Sequence, residues 1–262
     1  MPRFAANLTM LFTEYPVPER FDRAAAAGFR AVEFLFPYDH AAEIKAALGR
    51  TGLELILFNL PVGDFAAGDR GLANDLTRRA EFRDGVSRAL ALAADLGAPR
   101  LNCLVGRRLP EVAEESQLAT AAENLAFAAE QARVAGVALG IEPLNPFDAP
   151  GFLLPTTDSA LALLARVSHP NLSLQYDIYH AQRAEGNLVA TIERLTAADH
   201  LGHVQLADSP ARHQPGTGEI NVPFVLAALD RVGYPGWVGL EYLPQGGTER
   251  SLAWLREGGY WE

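Results

Sequence analysis

Short, almost unbroken apolar runs alternate along this chain with longer stretches whose apolar residues recur every three or four positions. The runs fall at 4–10, 31–36, 54–60, 100–106, 137–143, 172–180, 201–207 and 237–242. Most are β-branched or aliphatic, as expected of strands buried on both faces. The stretches at 18–27, 40–48, 76–96, 114–135, 157–167, 187–198, 222–232 and 248–256 predict helices. In the fifth of these, Leu161, Leu164 and Ala165 have the spacing of one buried face. Eight strand–helix units in one series predict a single (β/α)8 TIM barrel, with 1–262 forming one domain. The runner-up, an open doubly wound sheet, lacks a G-x-G-x-x-G after the first strand. The nearest glycine pair, Gly216-Thr217-Gly218, follows the seventh.

A barrel carries its chemistry where strands end and the following loops begin. Asn7, Glu33, Asn59, Glu142, Asp177, His203, Gln205 and Glu241 fall at such ends, with His180 in the loop after Asp177. Taken singly, each reads as a loop cap or a solvated rim group. Glu142, Asp177 and Glu241 are different, because each leaves an apolar run: VALGI, LSLQY and WVGL. Three carboxylates at one mouth repel unless they are paired. The chain has one lysine, Lys45, on what reads as an exposed helix face, so a desolvated Schiff-base lysine is not expected. A divalent cation is the simplest partner, although the arginines could compensate instead. Carboxylates with the amide oxygen of Gln205 would favour Mg2+ or Mn2+ over zinc. His203 shares a strand face with Gln205 and lies deeper, where a hydrogen-bonded core histidine is expected. His40, His169, His200 and His213 read as surface or loop residues.

Composition narrows the function classes. A net charge of −10 repels nucleic acid, so no nucleic-acid partner is expected. No glycine-rich phosphate loop or pocket lysine points to a nucleotide or PLP cofactor. Cys103 is the one cysteine, which suits a reducing, cytoplasmic setting. No apolar run approaches the ~20 residues of a membrane span, and the N-terminal stretch does not read as a signal peptide. The sequence leaves a homo-oligomer open.

The chain resembles the hydroxypyruvate isomerase family, within the xylose-isomerase-like barrels that include ketose epimerases. The matching segments are FAANLTMLFTEYP, AVEFLFPYD, FNLPVGDFAAGDRG, LNCLVG, IEPLNPFDAPGF, QYDIYHAQRAEGN, HVQLAD, PGTGEIN and GWVGLEY, which run from the first strand to the last. DIYHAQ and IEPLNPFD are the most specific. The resemblance implies metal ligands at Glu142, Asp177, Gln205 and Glu241, with Glu142 and Glu241 as the acid/base pair. It places His180 and Arg212 against a small 2-oxo or hydroxy acid. The implied reaction interconverts hydroxypyruvate and tartronate semialdehyde through an enediolate. Gln205 departs from the epimerase histidine but agrees with the hydroxypyruvate isomerase branch. Asp148 stands where epimerases carry a glutamate that helps bind sugar, which argues against a ketohexose. A 2-oxo-tetronate isomerase and a ketose 3-epimerase are the nearest alternatives. More remote are a non-catalytic metal- or acid-binding barrel and an endonuclease for damaged DNA, whose sites are rich in histidine ligands. The long segment after strand three, PVGDFAAGDRGLAND, is expected to line or cover the pocket.

Overall fold

A computed structural model describes residues 1–261. Eight strands, β1 (Arg3–Asn7), β2 (Ala31–Glu33), β3 (Glu54–Asn59), β4 (Arg100–Cys103), β5 (Ala138–Ile141), β6 (Leu172–Asp177), β7 (Leu201–Leu206) and β8 (Trp237–Leu240), form a closed barrel. Each pairs in parallel with its sequence neighbour. The seam between β8 and β1 runs from Arg3 opposite Trp237 to Ala6 opposite Leu240. The helices are α1 (Val17–Ala27), α2 (Ala41–Thr51), α3 (Arg79–Leu96), α4 (Glu114–Val134), α5 (Thr157–Val167), α6 (Ile178–Ala184), α7 (Leu188–Ala197), α8 (Val222–Arg231), α9 (Thr248–Ser251) and α10 (Ala253–Glu257). The expected closed barrel is therefore the observed one.

The expected strands overrun the observed ones at their carboxyl ends. Residues 8–10, 34–36 and 104–106 leave the sheet and build the mouth, and Leu8, Phe34, Leu104 and Val105 among them stay buried in the loops they open. The largest departure is at 172–180. Strand β6 stops at Asp177, whose carboxylate accepts the Tyr179 N–H at 2.8 Å and caps α6. This is an ordinary N-cap, satisfying a donor that the first helical turn leaves free. His180 thus stands on the first turn of a helix, not in a loop.

Helices cover the outside of the barrel with their apolar stripes, including Phe21 and Ala24 of α1, Val86, Ala89 and Ala93 of α3, and Leu125, Ala128 and Ala132 of α4. Inside, the amino-terminal end is plugged by Ala5, Ala31, Ile56 and Leu57 against Trp237. Above that plug the interior is polar. Asn7, Glu33, Asn102, Gln175, His203 and Gln205 are all buried. Gly239 on β8 makes room for this layer, since a Cβ there would collide with the Glu33 carboxylate.

That contact generates a prediction. Gly239→Ala should destabilise the protein to denaturant by about 1–3 kcal/mol, the usual cost of overpacking. Gly49→Ala is the control: its Cβ would meet nothing and it lies within α2, so a gain of about 0.5–1 kcal/mol is expected. Equal effects at the two sites would remove Gly239 as a packing constraint.

Candidate active site

Glu142 and Glu241 directly follow β5 and β8, Asp177 ends β6, and Gln205 lies on β7; all four are buried. Each glutamate is gripped at one oxygen by two amides. Glu142 Oε2 accepts from Asn102 Nδ2 at 2.8 Å and Gln175 Nε2 at 2.9 Å. Glu241 Oε2 accepts from Asn7 Nδ2 at 3.0 Å and from Gln205 Nε2. The other oxygens differ. Glu241 Oε1 pairs with the Arg212 guanidinium at 2.6 Å, whereas Glu142 Oε1 takes no hydrogen bond among the described residues.

Arg212 also reaches Asp177 Oδ2 at 3.3 Å, and its guanidinium lies over the Tyr179 ring, 5.0 Å from its centre. It compensates two of the three carboxylates, one of the outcomes the sequence left open. Its backbone is left-handed, with φ 57°, a conformation a non-glycine residue keeps only where its surroundings impose it. Asp208 supplies that surrounding. One buried carboxylate accepts the N–H groups of Ser209, Gly216, Thr217, Gly218 and Ile220, at 2.9 to 3.1 Å, and ties the β7–α8 loop into a fixed shape.

Below this layer, Glu33 braces the site. It accepts from His203 Nε2 and, at 2.9 Å, from Gln205 Nε2. His203 is the hydrogen-bonded core histidine that was expected. Gln205 Oε1 accepts from Gln175 Nε2 at 2.6 Å, so the amide of Gln205 lies within the network. Asp148 accepts from the Tyr179 hydroxyl and, at 3.1 Å, from Asn145 Nδ2. The segment at 61–75 docks on its neighbour, where Asn74 Nδ2 donates to Gln117 Oε1 at 3.0 Å and to the Arg107 carbonyl. Its Phe65 is exposed and carries Arg70 over its ring.

The electrostatics follow from burial. Desolvation pushes Glu241 up to about 8; Arg212 opposes the shift while Asp177 and Glu33 add to it. Desolvation raises Glu142 well above the usual carboxylate range, and the charges of Glu241 and Asp177 raise it further. Asp177 is raised by burial against the opposing charge of Arg212. Burial works against a charged Arg212, but Glu241, Asp177 and Glu142 outweigh it and raise its proton affinity. His180 is held well below its ordinary value by burial and then by Arg212 and Arg183. The mouth therefore concentrates more carboxylate than positive charge, which fits a divalent cation. Ligand-capable atoms of Glu142, Asp177 and His180 lie within 4.8 Å of one another.

Of the residues singled out in the sequence, the structure brings Glu142, Asp177, Glu241, His180, Arg212 and Gln205 to one mouth. His180 stands with Glu142 and Asp177 in a potential metal-holding group, and Gln205 and Glu241, the other ligands the resemblance implies, line the same mouth. Sequence reasoning missed Asn102, Gln175, Asn145 and Asp208. A signal existed for Gln175, which lies two residues before Asp177 and so shares its strand face.

Fold and site together define a (β/α)8 barrel with a buried, carboxylate-rich mouth. The chain belongs to the family described as Xylose isomerase-like TIM barrel, which residues 21–258 match. Hydroxypyruvate isomerase from Escherichia coli (strain K12) is 49% identical over 256 residues, spanning 97% of this chain and 98% of that protein. A 2-oxo-tetronate isomerase from Cupriavidus necator is 46% identical over 258 residues, spanning 98% of each. Among solved structures, a Brucella melitensis protein titled AP endonuclease, family 2, superimposes with a TM-score of 0.95 at 43% identity, over 100% of both chains. The 3-keto-D-glucoside 4-epimerase from E. coli shares the fold, with a TM-score of 0.80 at 24% identity, over 98% of this chain and 99% of that one.

The raised carboxyls predict a pH dependence of stability. Glu241 titrates at about 8 in the fold against an ordinary 4.5. Because the folded value is the higher one, its contribution is complete below the unfolded value and is lost as pH rises through the folded one. Metal-free protein should lose melting temperature between roughly pH 5 and 8, and Glu241→Gln should flatten that decline. Equal slopes in both proteins would exclude Glu241 as the source.

Proposed function

We propose that the protein interconverts hydroxypyruvate and tartronate semialdehyde by metal-assisted proton transfer. The observation that carries this reading is a pair of buried glutamates with raised proton affinity, leaving β5 and β8 to flank one mouth. The 49% identity to a hydroxypyruvate isomerase over nearly the whole of both chains supports the substrate class.

The two isomers differ by the position of a carbonyl. One base must remove a proton from C3 of hydroxypyruvate, and one acid must return a proton to C2; the hydroxyl proton moves from O3 to O2. The glutamates are not equivalent for this work. Glu241 is ion-paired at Oε1 with Arg212, which favours its ionised form and suits proton removal from C3. Glu142 has no guanidinium in hydrogen-bond contact among the described residues, and burial with the charges of Glu241 and Asp177 raises its proton affinity, which suits delivery at C2. In the reverse direction the roles exchange. Each is fixed at Oε2 by two amides, which leaves Oε1 as the proton-carrying oxygen of Glu142, whereas Glu241 Oε1 also receives the Arg212 guanidinium. Mg2+ or Mn2+ held by Glu142, Asp177 and Glu241, with Gln205 beside them, would supply Lewis acidity that makes the C–H bond more acidic. His180 and Arg212 would contact the substrate's oxygens, and the burial of the site would exclude water from the carbanionic intermediate.

The 46% identity to a 2-oxo-tetronate isomerase supports a second reading in which a four-carbon acid is the substrate. The engagement of Asp148 by Tyr179 and Asn145 weighs against a ketohexose, because its carboxylate is already occupied by protein donors. An endonuclease would need more histidine than this mouth offers: His180 lies among the carboxylates, while His203 lies deeper, bonded to Glu33.

Glu241→Gln should fold normally and lose about 10²–10⁴-fold in kcat, the range expected for removing a general acid or base. Wild-type turnover in that variant would overturn the assignment. Kinetics on hydroxypyruvate beside 2-oxo-tetronate decide the substrate, and a higher kcat/KM on the four-carbon acid would reassign it. Full activity after exhaustive chelation would remove the metal from the reaction.

A further inference from the structure

His180 lies in the mouth with two nitrogens that face different surroundings. Nε2 points at the carboxylate cluster, 3.7 Å from Asp177 Oδ2. Nδ1 points away from it, toward the β5–α5 loop, and there it meets two donors. The Asn145 backbone N–H approaches at 3.1 Å and the Asn145 side-chain amide nitrogen at 2.7 Å. A backbone N–H can only donate, so Nδ1 must be the accepting nitrogen of the ring.

The side chain of Asn145 is fixed in the same sense. Its Oδ1 accepts the N–H groups of Phe147 and Asp148, both at 3.0 Å, so the oxygen is committed to the turn that follows. Its Nδ2 also donates to Asp148 Oδ2 at 3.1 Å, and that carboxylate takes the Tyr179 hydroxyl as well. Reversing the amide would set its oxygen against a carboxylate and its NH2 against two N–H groups. Asn145 is fully buried, so water cannot relieve such a reversal.

We propose that Asn145 is a positioning residue that fixes His180 in the tautomer carrying its one proton on Nε2, so that His180 meets the substrate as a hydrogen-bond donor and not as a base or a metal ligand. A ring nitrogen that bears a proton has no lone pair for a cation. The Glu142–Asp177–His180 cluster is then two carboxylates facing a donor. For the isomerase reading on which this rests, an N–H aimed into the mouth has a definite use. It would bond the carbonyl oxygen of the 2-oxo acid, and the bond would strengthen as that oxygen gains charge during proton transfer. The same arrangement keeps His180 from competing with Glu142 and Glu241 for the substrate's protons.

The tautomer can be read without substrate or metal. Long-range 1H–15N correlation of the free protein at neutral pH should give His180 a pyrrole-type Nε2 and a pyridine-type Nδ1; a proton on Nδ1, alone or on a doubly protonated ring, would overturn the proposal. Asn145→Asp is nearly isosteric and sets an acceptor against Nδ1. The backbone N–H of residue 145 still donates to Nδ1, so the variant sets the two contacts against each other: the Nε2-protonated form should cease to be the sole tautomer and kcat should fall by roughly 10–100-fold, a usual cost of losing an orienting contact, with KM changed less than the rate. A wild-type tautomer together with wild-type turnover in that variant would refute the positioning role. His180→Gln, titrated with Mn2+ alone, should bind within threefold of the parent, whereas a hundredfold loss would make His180 a ligand. The tautomer and the Mn2+ affinity are measured without any acid present, so a failure to turn over hydroxypyruvate would count against the isomerase reading and leave this one standing.

Discussion

Desolvation of carboxylates at the top of the barrel is the constraint to which the surrounding structure answers. Moving an ionised carboxylate out of water costs several kcal/mol even after relaxation, and like charges close together add to it. This interior buries Glu33, Glu142, Asp177 and Glu241 together. The layer beneath and around them is accordingly made of amides, with Asn7, Asn102, Gln175 and Gln205 each giving N–H groups to a carboxylate oxygen. Arg212 supplies the one guanidinium in direct contact with the cluster among the described residues, and Asp208 gathers five N–H groups to hold the loop that delivers it. An apolar interior would have been easier to stabilise; a polar one is what keeps carboxylates in place without quenching them.

The barrel was legible because its signal is repeated eight times. Each strand is a short apolar run between amphipathic helices, and the observed strand starts fall within one residue of the expected ones. Strand ends were less legible. Residues such as Leu8, Phe34 and Leu104 remain apolar after the hydrogen-bonded ladder stops, because the loops they enter are packed. At 178–180 the composition still reads as strand, and only the capping geometry of Asp177 reveals a helix.

Within the site, the carboxylates announced themselves because each ends an apolar run. Their supports did not. Asn102 lies inside β4, and an isolated amide in a strand gives no sign of what it faces. The rule of two offers a partial remedy. Gln175 precedes Asp177, His203 precedes Gln205, and Gly239 precedes Glu241, each by two residues and therefore on the same inward face. Gly239 is informative by its smallness, since it clears the space that Glu33 occupies. Asp208 and Asn145 were harder still. Both act through backbone N–H groups of a folded loop, and backbone donors leave no mark on a sequence.

The two glutamates illustrate how one residue type acquires two environments. Both leave buried strands, and both are held at one oxygen by a pair of amides. Their difference lies in the second oxygen, where Glu241 meets Arg212 and Glu142 does not. A guanidinium at 2.6 Å favours the ionised form, so Glu241 settles at about 8 while burial and two neighbouring negative charges hold Glu142 well above the usual carboxylate range. For the isomerisation proposed above, unequal proton affinity across one mouth would suit one group accepting a proton as the other donates. The position of a single arginine, set by a loop tied to Asp208, is therefore what makes the two carboxylates unlike.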